Sequence, residues 1–268
     1  MAAATVVIPA RYGSTRFPAK ILASQTGRPL VQHVVDQVRL CKRVRDVIVA
    51  TDDERIVAAL RPFGTNCRMT SAEHQSGTDR IAEVARTIDD EIIVNVQGDE
   101  PEIEPQIIDA LIERLQTTEE DMATAATQFA TALSSTAGVV ASATMAPVAD
   151  PANPNLVKVV IGLDGRAMYF SRRLIPFDRD RNGEVNSAPS ADSPTYYLHL
   201  GIYAYRRPFL LEFASWKPTP LERTEKLEQL RALEHGKSIG VLVVQRATHG
   251  IDTPEQYADF VKRVGSGQ

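Results

Sequence analysis

The feature that most restricts the fold is an alternation of short apolar runs with longer amphipathic segments in the first half of the chain. Four short runs, rich in β-branched residues, are typical of buried parallel strands, the last being the weakest: 5–8 (TVVI), 46–50 (DVIVA), 92–96 (IIVNV) and 67–70 (CRMT). Three longer segments carry apolar residues at helical spacing: 29–40, 54–63 and 79–88. This order predicts a doubly wound α/β fold with a mostly parallel sheet.

The second half of the chain has a different pattern. Strands follow one another there without helices between them: 157–161, 168–171 and 199–205. Such strands predict an antiparallel excursion, suited to dimerisation or to covering a substrate. We therefore predict a single α/β domain over residues 1–268, with an antiparallel subdomain at about 150–207 inside it.

Helical spacing and turn residues account for most of the remaining chain. Three further helices and one strand are predicted, at 105–115, 222–235, 254–264 and 239–245 respectively. Polar residues, glycine and proline predict a loop at 178–194. The uncharged segment 122–149 is long enough to suggest a membrane span, but hydroxyl residues, Gly138 and Pro147 interrupt it. We expect soluble β structure or a loop there, and no membrane partner.

Charge balance and cysteine count exclude several classes of protein. The chain has 268 residues, with 30 Lys and Arg against 34 Asp and Glu, so its formal net charge is −4. We predict no nucleic-acid partner, because sequence-independent binding needs a global basic field. Cys41 and Cys67 are too few for a disulfide framework or a cysteine-based zinc site, and they suit a reducing cytoplasm. The amino terminus lacks a basic region, so we expect no signal peptide.

A basic loop directly follows the first predicted strand. In the sequence PARYGSTRFPAK, Arg11, Arg16 and Lys20 share one loop with Gly13 and Ser14. Ligands of open α/β sheets bind at the carboxyl ends of strands, and such a loop offers backbone N–H groups and three cations to a polyphosphate. It matches neither the dinucleotide-binding nor the P-loop pattern. A solvated basic loop is the alternative, but its position after the first strand favours phosphate.

Two aspartates follow later strands. Asp99, in QGDEP after the run at 92–96, is suited to Mg²⁺, which takes carboxylate, water and phosphate oxygens. The alternative is that Asp99 or Glu100 is an exposed turn residue. Asp252 precedes Thr253 and Pro254, so it could be a structural helix cap. Together, Asp99 and Asp252 could hold the metal that bridges phosphates in an in-line displacement.

The segment 74–80 (HQSGTDR) allows two interpretations. Ser76 and Thr78 are ordinary caps for the helix that follows. Alternatively, the segment is a nucleotide-recognition loop, in which Gln75, Ser76 and Arg80 offer hydrogen bonds to a base or ribose.

Taken together, these segments resemble the 3-deoxy-manno-octulosonate (Kdo) cytidylyltransferases, also called CMP-Kdo synthetases. The resemblance extends from about residue 6 to 257 and rests on these motifs: VIPARYGSTRFPAK, IIVATDDERI, MTSAEHQSGTDRIAEV, IIVNVQGDEP, NPNLVKVV, YFSRRLIPFDRDR, YYLHLGIYAYR, PLERTEKLEQLRALEHG and GIDTPEQY. ARYGSTR also occurs in other sugar nucleotidyltransferases, whereas HQSGTDR, NVQGDEP and HLGIYAYR in one chain are more specific.

The resemblance implies a reaction and its setting. The fold would be that of the nucleotide-diphospho-sugar transferases, and the anomeric hydroxyl of Kdo would attack the α-phosphorus of CTP, giving CMP-Kdo and pyrophosphate. It implies CTP and Kdo as substrates, Mg²⁺ as cofactor, a homodimer, and a cytoplasmic step of lipopolysaccharide synthesis. The dimer contact would lie around 157–171. No membrane segment is needed, because both substrates are water-soluble.

The resemblance also assigns roles to residues. Catalysis would depend on the phosphate-binding cations and the two Mg²⁺ ligands, Asp99 and Asp252: Arg11, Arg16, Lys20, Asp99 and Asp252. The nucleotide would lie against Ala10, Arg11, Gly13, Ser14, Lys20, Gln75, Ser76 and Arg80. The sugar pocket would be lined by Gln97, Arg172, His199, Tyr203, Glu222 and Glu225. Arg172 would bind the sugar carboxylate, since a guanidinium can bind a carboxylate with two hydrogen bonds.

Several of these residues have structural alternatives. His199 could be a hydrogen-bonded core histidine, and Tyr203 could simply pack. Glu222 and Glu225 are three residues apart, hence on one helix face, and for Glu228 a surface position is equally plausible.

The chain also departs from the family pattern. Ala19 stands where the family more often has glycine, the segment 128–147 is longer than usual, and the loop 182–194 is individual. None of these departures removes a residue of the phosphate or metal set.

Three other functions remain open. The chain could be a CMP-sugar-acid synthetase for a sialic acid or an amino-substituted Kdo, since only the sugar pocket would differ. It could bind nucleotide without catalysis, although a non-catalytic binder needs neither all three cations nor both aspartates. It could be a metal-dependent glycosyltransferase, but the basic loop after the first strand favours transfer from a free triphosphate.

Overall fold

The computed structural model describes residues 4–14, 16–129, 150–180, 195–245 and 250–265. The described residues form two compact units. The first contains those within 1–123, 201–216 and 248–268, and the second those within 124–200 and 217–247. The organisation into a single domain with a subdomain at about 150–207 stays a prediction. No helix of the described part is both long and apolar enough to cross a membrane.

The first unit contains the parallel sheet. Its strands are β1 (Ala4–Ala10), β2 (Val44–Thr51), β3 (Asn66–Met69) and β4 (Ile92–Asn95), in the spatial order β3-β2-β1-β4. All of these neighbours are parallel. On the far side, β4 pairs antiparallel with the end of β8 (Tyr197–Arg206). The predicted α/β fold with a mostly parallel sheet is therefore confirmed.

Helices cover this sheet in the pattern that the sequence predicts. They are α1 (Leu30–Val38), α2 (Glu54–Leu60), α3 (Gly77–Ala85), α4 (Pro105–Thr117), α5 (Arg207–Ser215) and α8 (Pro254–Gly265). Ser76 and Asp79 form a capping box at the start of α3, and Asp53 accepts a hydrogen bond from the Arg55 N–H at the start of α2. Helix α5, for which no sequence prediction was made, directly continues β8.

The β-branched residues of the parallel strands form the core. In β1, Val6, Val7 and Ile8 are fully buried, because helices pack on both faces of the sheet. A smaller cluster joins α8 to α1: Leu30, Ile251, Tyr257 and Phe260. The Gln25 N–H also donates to the Tyr257 hydroxyl at 2.9 Å. The chain just before α8 is thereby fixed beside the basic loop.

The second unit contains the remaining strands. They are β5 (Met122–Gln128, which begins in the first unit), β6 (Lys158–Ile161), β7 (Ala167–Ser171), the start of β8, and β9 (Ile239–Val244). Strand β6 pairs antiparallel with both β7 and β8, so the antiparallel pairing predicted there is confirmed. Residues 122–128 of the uncharged segment are a strand, as one of the two alternatives expected. The predictions for 130–149 and 181–194 concern residues outside the described part of the chain.

The single helix predicted at 222–235 is wrong. The chain forms two short helices there, α6 (Pro220–Glu225) and α7 (Gln229–Glu234). Between them Lys226 has a left-handed backbone with φ of 55°, and its N–H donates to the Glu222 carbonyl to end α6. This break lets Leu227 turn inward, where it is buried. Every residue near the break except Thr224 is a good helix former, so the sequence pattern does not indicate that the helix is interrupted there.

Candidate active site

Three segments of the first unit meet at the carboxyl ends of its parallel strands. The basic loop follows β1, the segment 96–101 follows β4, and residues 250–253 precede α8. The Ile251 N–H donates to the Asp99 carbonyl at 2.8 Å, which joins the last two segments. This is the edge of an open α/β sheet where ligands bind.

Lys20 lies at the centre of this meeting point. Its ammonium donates to Asp99 Oδ2 at 2.5 Å, Asp252 Oδ1 at 2.8 Å and the Ile251 carbonyl at 3.0 Å. Burial alone would lower the pKa of Lys20, but the hydrogen bonds to Asp252 and Asp99 outweigh it and hold this pKa above its ordinary value. Lys20 is therefore protonated and positively charged at neutral pH.

Ala19, the residue before Lys20, has an unusual backbone conformation. Ala19 has φ of 55°, in the left-handed region, and precedes the short 3₁₀ turn Lys20–Leu22. Non-glycine residues rarely adopt this conformation, and it costs roughly 1 kcal/mol for alanine. The departure from the glycine more usual in the family therefore falls on a position whose backbone favours glycine.

Arg16 and Lys20 both contact the carboxylate of Asp252, and this carboxylate does not cap helix α8. Arg16 Nη2 lies 2.9 Å from Asp252 Oδ2, so each carboxylate oxygen has a cationic partner. The start of α8 is stabilised instead by Thr253, whose hydroxyl accepts the Gln256 N–H at 3.3 Å. The Gln256 side chain accepts the N–H groups of Asp252 and Thr253 in return. The carboxylate of Asp252 is thus left to the site.

Two glycines permit the close approach of these segments. A Cβ atom on Gly250 would lie 3.4 Å from Asp99 Oδ1. A Cβ on Gly98 would lie 3.2 Å from both the Pro9 carbonyl and Ile21 Cδ1, tighter than most side chains tolerate. Gly98 therefore lets the segment carrying Asp99 pack directly against the end of β1.

Asp99 and Asp252 fit a magnesium ion. One oxygen of each bonds the same ammonium nitrogen, so two hard oxygen ligands converge on one point. Mg²⁺ is commonly held by one or two carboxylates, with water and phosphate oxygens completing the shell. Burial, and secondarily the charge of Asp99, raises the pKa of Glu100 to about 8, which makes it the poorer ligand at neutral pH. No group of three or more His, Cys, Asp or Glu among the described residues could hold a metal by itself.

The predicted nucleotide loop lies against the basic loop. Arg11 Nη2 donates to the His74 carbonyl at 2.9 Å, which brings Gln75 and Ser76 beside the end of β1. Ser76 caps α3, accepting the Asp79 N–H at 3.1 Å, as the structural interpretation expects. Gln75 is exposed, with its amide donating to the Glu73 carbonyl. Both stay candidates for nucleotide contact.

The side chains of Arg80 and Ala10 are buried. The Arg80 side chain is completely buried, with Nη1 2.5 Å from Thr70 Oγ1 and Nη2 2.9 Å from Asp52 Oδ2. The Arg80 side chain therefore supports the ends of β2 and β3 from inside the unit. Because none of its atoms is exposed, it cannot make the expected direct contact with the nucleotide. Ala10 is buried too, so only its backbone can reach a ligand.

Comparisons with known proteins match this chain over nearly its whole length. The family model described as cytidylyltransferase matches residues 5–239. The 3-deoxy-manno-octulosonate cytidylyltransferase of Geobacter sulfurreducens is 45% identical over 262 residues, covering 97% of this chain and 98% of that protein. Its counterpart from Geobacter metallireducens is 46% identical, with 98% of each chain covered.

The chain belongs to the 3-deoxy-manno-octulosonate cytidylyltransferase family.

A solved structure agrees with this membership. The structure of CMP:2-keto-3-deoxy-manno-octonic acid synthetase complexed with CTP is 34% identical, covers 99% of both chains and superposes with a TM-score of 0.84. At this similarity the family fold extends over the whole described chain.

Two of the sugar-pocket residues implied by the family resemblance lie in the first unit. Tyr203 pairs across the sheet with Asn95, at the end of β4, and its ring packs 5.9 Å from that of Tyr205. Gln97 follows two residues after Asn95, and its amide donates to the Gly201 carbonyl at 3.4 Å. The structure therefore places Gln97 and Tyr203 at the same edge as Asp99.

Four more of these residues lie in the second unit, where Arg172 and Glu225 are in contact. Glu225 accepts the Arg172 N–H at 3.0 Å and the Ser171 hydroxyl at 2.6 Å. Among the residues that the structure describes, the Arg172 guanidinium donates to the carbonyls of Glu225 and Pro154, at 2.8 and 3.2 Å, and to no carboxylate. Its charge therefore remains for an external anion.

His199 and Glu222 have internal partners. His199 Nε2 lies 3.0 Å from Thr124 Oγ1, its ring meets Phe170 edge-on, and burial lowers its pKa to about 3. It is a neutral, hydrogen-bonded histidine at physiological pH. Glu222 accepts the Thr219 N–H at 3.2 Å and forms an ion pair with the buried Arg231 at 3.0 Å. A role toward substrate stays a prediction for both.

Lys158 was missed by the sequence reasoning. It is completely buried, and its ammonium donates to the carbonyls of Asn153, Leu156 and Arg172 at 3.0, 2.6 and 2.6 Å. It thus fixes the backbone of Arg172. A lone lysine inside the apolar run LVKVV was the available signal, because a buried lysine must find hydrogen-bond partners.

Proposed function

We propose that this chain transfers the cytidylyl group of CTP to the anomeric hydroxyl of Kdo, which yields CMP-Kdo and pyrophosphate for lipopolysaccharide synthesis. Similarity to 3-deoxy-manno-octulosonate cytidylyltransferases over nearly the full length supports the substrates. The observation that carries the chemistry is the convergence of Lys20, Asp99 and Asp252 on one point at the carboxyl ends of the strands.

The reaction is an in-line displacement at phosphorus. The anomeric oxygen of Kdo forms a bond to the α-phosphorus, the bond from that phosphorus to the bridging oxygen of the β-phosphate breaks, and the electron pair leaves with pyrophosphate. The hydroxyl proton passes to water. Arg11, Arg16 and Lys20 offset the negative charge that develops on the leaving group.

Asp99 and Asp252 would hold Mg²⁺ in this proposal. When bound, the ion would polarise phosphoryl oxygens and neutralise their charge. The two aspartates contribute ligands of the type and number that this ion takes from proteins. The nucleotide would be oriented by Gly13 and Ser14 of the basic loop and by the neighbouring segment with Gln75 and Ser76.

Recognition of the sugar acid is assigned to the guanidinium of Arg172. A planar guanidinium matches a carboxylate with two parallel hydrogen bonds. The carbonyl partners of Arg172 orient this group without cancelling its charge. The family resemblance also implies roles toward the sugar for Gln97 and Tyr203 of the first unit, and for His199, Glu222 and Glu225 of the second.

The proposal includes a homodimer and a cytoplasmic location. Large apolar side chains are exposed on the second unit, among them Leu163, Met168 and Val243. Exposed apolar surface on an antiparallel excursion is typical of a subunit interface. The cytoplasm supplies CTP, and neither a nucleic acid nor a membrane is part of the reaction.

Pyrophosphate release tests the proposed function. The full chain is incubated with Mg²⁺ and each of CTP, UTP, GTP and ATP, paired with Kdo or with N-acetylneuraminate. We expect release only with CTP plus Kdo. Release with CTP and the sialic acid would refute the sugar assignment alone. Absence of release from folded protein that binds CTP would refute catalysis.

A further inference from the structure

Lys20 fills the space between the two aspartates that the proposed function assigns to the metal, here called the carboxylate pair. Its side chain is only 12% exposed, and its ammonium bonds one oxygen of each member. Arg16 differs, because its side chain is 67% exposed and it contacts the outer oxygen of Asp252. Lys20 is thus the internal cation of the pair.

An ammonium ion and a divalent cation require the same oxygens of this pair. Both are attracted to Asp99 Oδ2 and Asp252 Oδ1, and two cations held there together would repel each other strongly. Lys20 and Arg16 also balance the charges of Asp99 and Asp252. A divalent cation approaching these four side chains therefore meets no net negative charge.

We propose that Lys20 competes with the divalent cation for the carboxylate pair, and that the triphosphate relieves this competition by giving the ammonium another anionic partner. This inference rests on the proposed function, which supplies the metal and the nucleotide. The metal and the triphosphate then bind cooperatively, and by linkage each raises the affinity for the other by the same factor. The pair would bind its metal weakly until the substrate arrives.

Binding of Mn²⁺ to the nucleotide-free full chain tests the competition. Mn²⁺ prefers the same oxygen ligands as Mg²⁺, and its free fraction is read directly by electron paramagnetic resonance. We expect Lys20→Met to bind Mn²⁺ about tenfold more tightly than the wild type, because the competing charge is gone. Lys20→Arg, which keeps a cation, should stay within about twofold of the wild type.

The matched control is Lys262→Met. Lys262 is exposed on α8 and pairs with Asp259, so its loss leaves the carboxylate pair intact. Adding CTP provides a second measurement of Mn²⁺ affinity, in which the Mn²⁺ bound to free CTP is subtracted from the total bound Mn²⁺. It should raise Mn²⁺ affinity more in the wild type than in Lys20→Met, where the competitor has already been removed.

An unchanged or weaker Mn²⁺ affinity of Lys20→Met overturns the proposal. If that variant does not fold, as judged by its melting temperature, Lys20→Gln replaces it with the same expectation. The double variant Lys20→Met with Asp99→Asn tests the premise that Asp99 binds the metal. If Asp99 does so, the double variant should lose the tighter Mn²⁺ binding of Lys20→Met. Tight binding in the double variant would instead refute the metal assignment of the proposed function, and the competition with it.

Discussion

Arg80 Nη2 lies 2.9 Å from Asp52 Oδ2, and the whole Arg80 side chain is buried. The pair joins α3 to the end of β2, and the second bond of Arg80, to Thr70, reaches the end of β3. A buried guanidinium with these partners stabilises the ends of the strands beside which the predicted nucleotide loop lies.

We expect Arg80→Met to lower the free energy of unfolding by about 3 kcal/mol, because it leaves Asp52 without its buried partner. Urea unfolding measures this change. The matched control is Arg55→Met, since Arg55 forms an exposed ion pair with Asp53 and its loss should lower the free energy of unfolding far less. Equal urea midpoints for the two variants would show that burial of Arg80 contributes nothing.

Asp99→Asn should abolish turnover while leaving the fold intact. The amide keeps the size of the side chain but removes the charge that a divalent cation needs, so we expect kcat/KM to fall by at least about a thousandfold. Pyrophosphate release at subsaturating metal and CTP is the measurement, with circular dichroism confirming the fold. Asp259→Asn, at an exposed position on α8, is the control. Near-normal turnover of Asp99→Asn would remove Asp99 from the site.

Ala19→Gly should stabilise the protein slightly, by up to about 0.5 kcal/mol. The left-handed backbone of Ala19 strains alanine but not glycine, and this gain is partly offset by the greater freedom of glycine in the unfolded chain. Thermal unfolding is the measurement. Ala23→Gly is the control, since Ala23 has φ of −56° and should gain nothing. A lower melting temperature for Ala19→Gly would show that the strain at Ala19 is negligible.

His199 should make the protein less stable as pH falls. Its pKa is about 3 in the folded state and about 6.5 when unfolded, so between these values only the unfolded chain binds the proton. This histidine should therefore cost about 2 kcal/mol of stability between pH 7 and pH 5, and nothing above pH 7.

Urea unfolding of His199→Gln at both pH values measures this loss, because the variant lacks the titrating group. An identical loss of stability in His199→Gln and the wild type would contradict the assigned protonation state.

The parallel half of the fold was predictable because its strands are β-branched runs buried on both faces. Position after a strand also indicated Asp99 and the basic loop, since strand ends share one edge. The break at Lys226 was not predictable, because a left-handed lysine among helix formers depends on the burial of Leu227. Nor could sequence alone distinguish an exposed Arg80 from a buried one, since its partners are distant along the chain.

Thr253 and Gln256 make the hydrogen bonds that start α8, so the carboxylate of Asp252 takes no part in capping this helix. The position that caps the helix and the position of the proposed metal ligand are adjacent yet separate. Substitutions at 253 that tune the stability of α8 can therefore accumulate without removing a side chain from the proposed ligand set. Selection on thermal tolerance and selection on turnover can act on this turn independently, one residue apart.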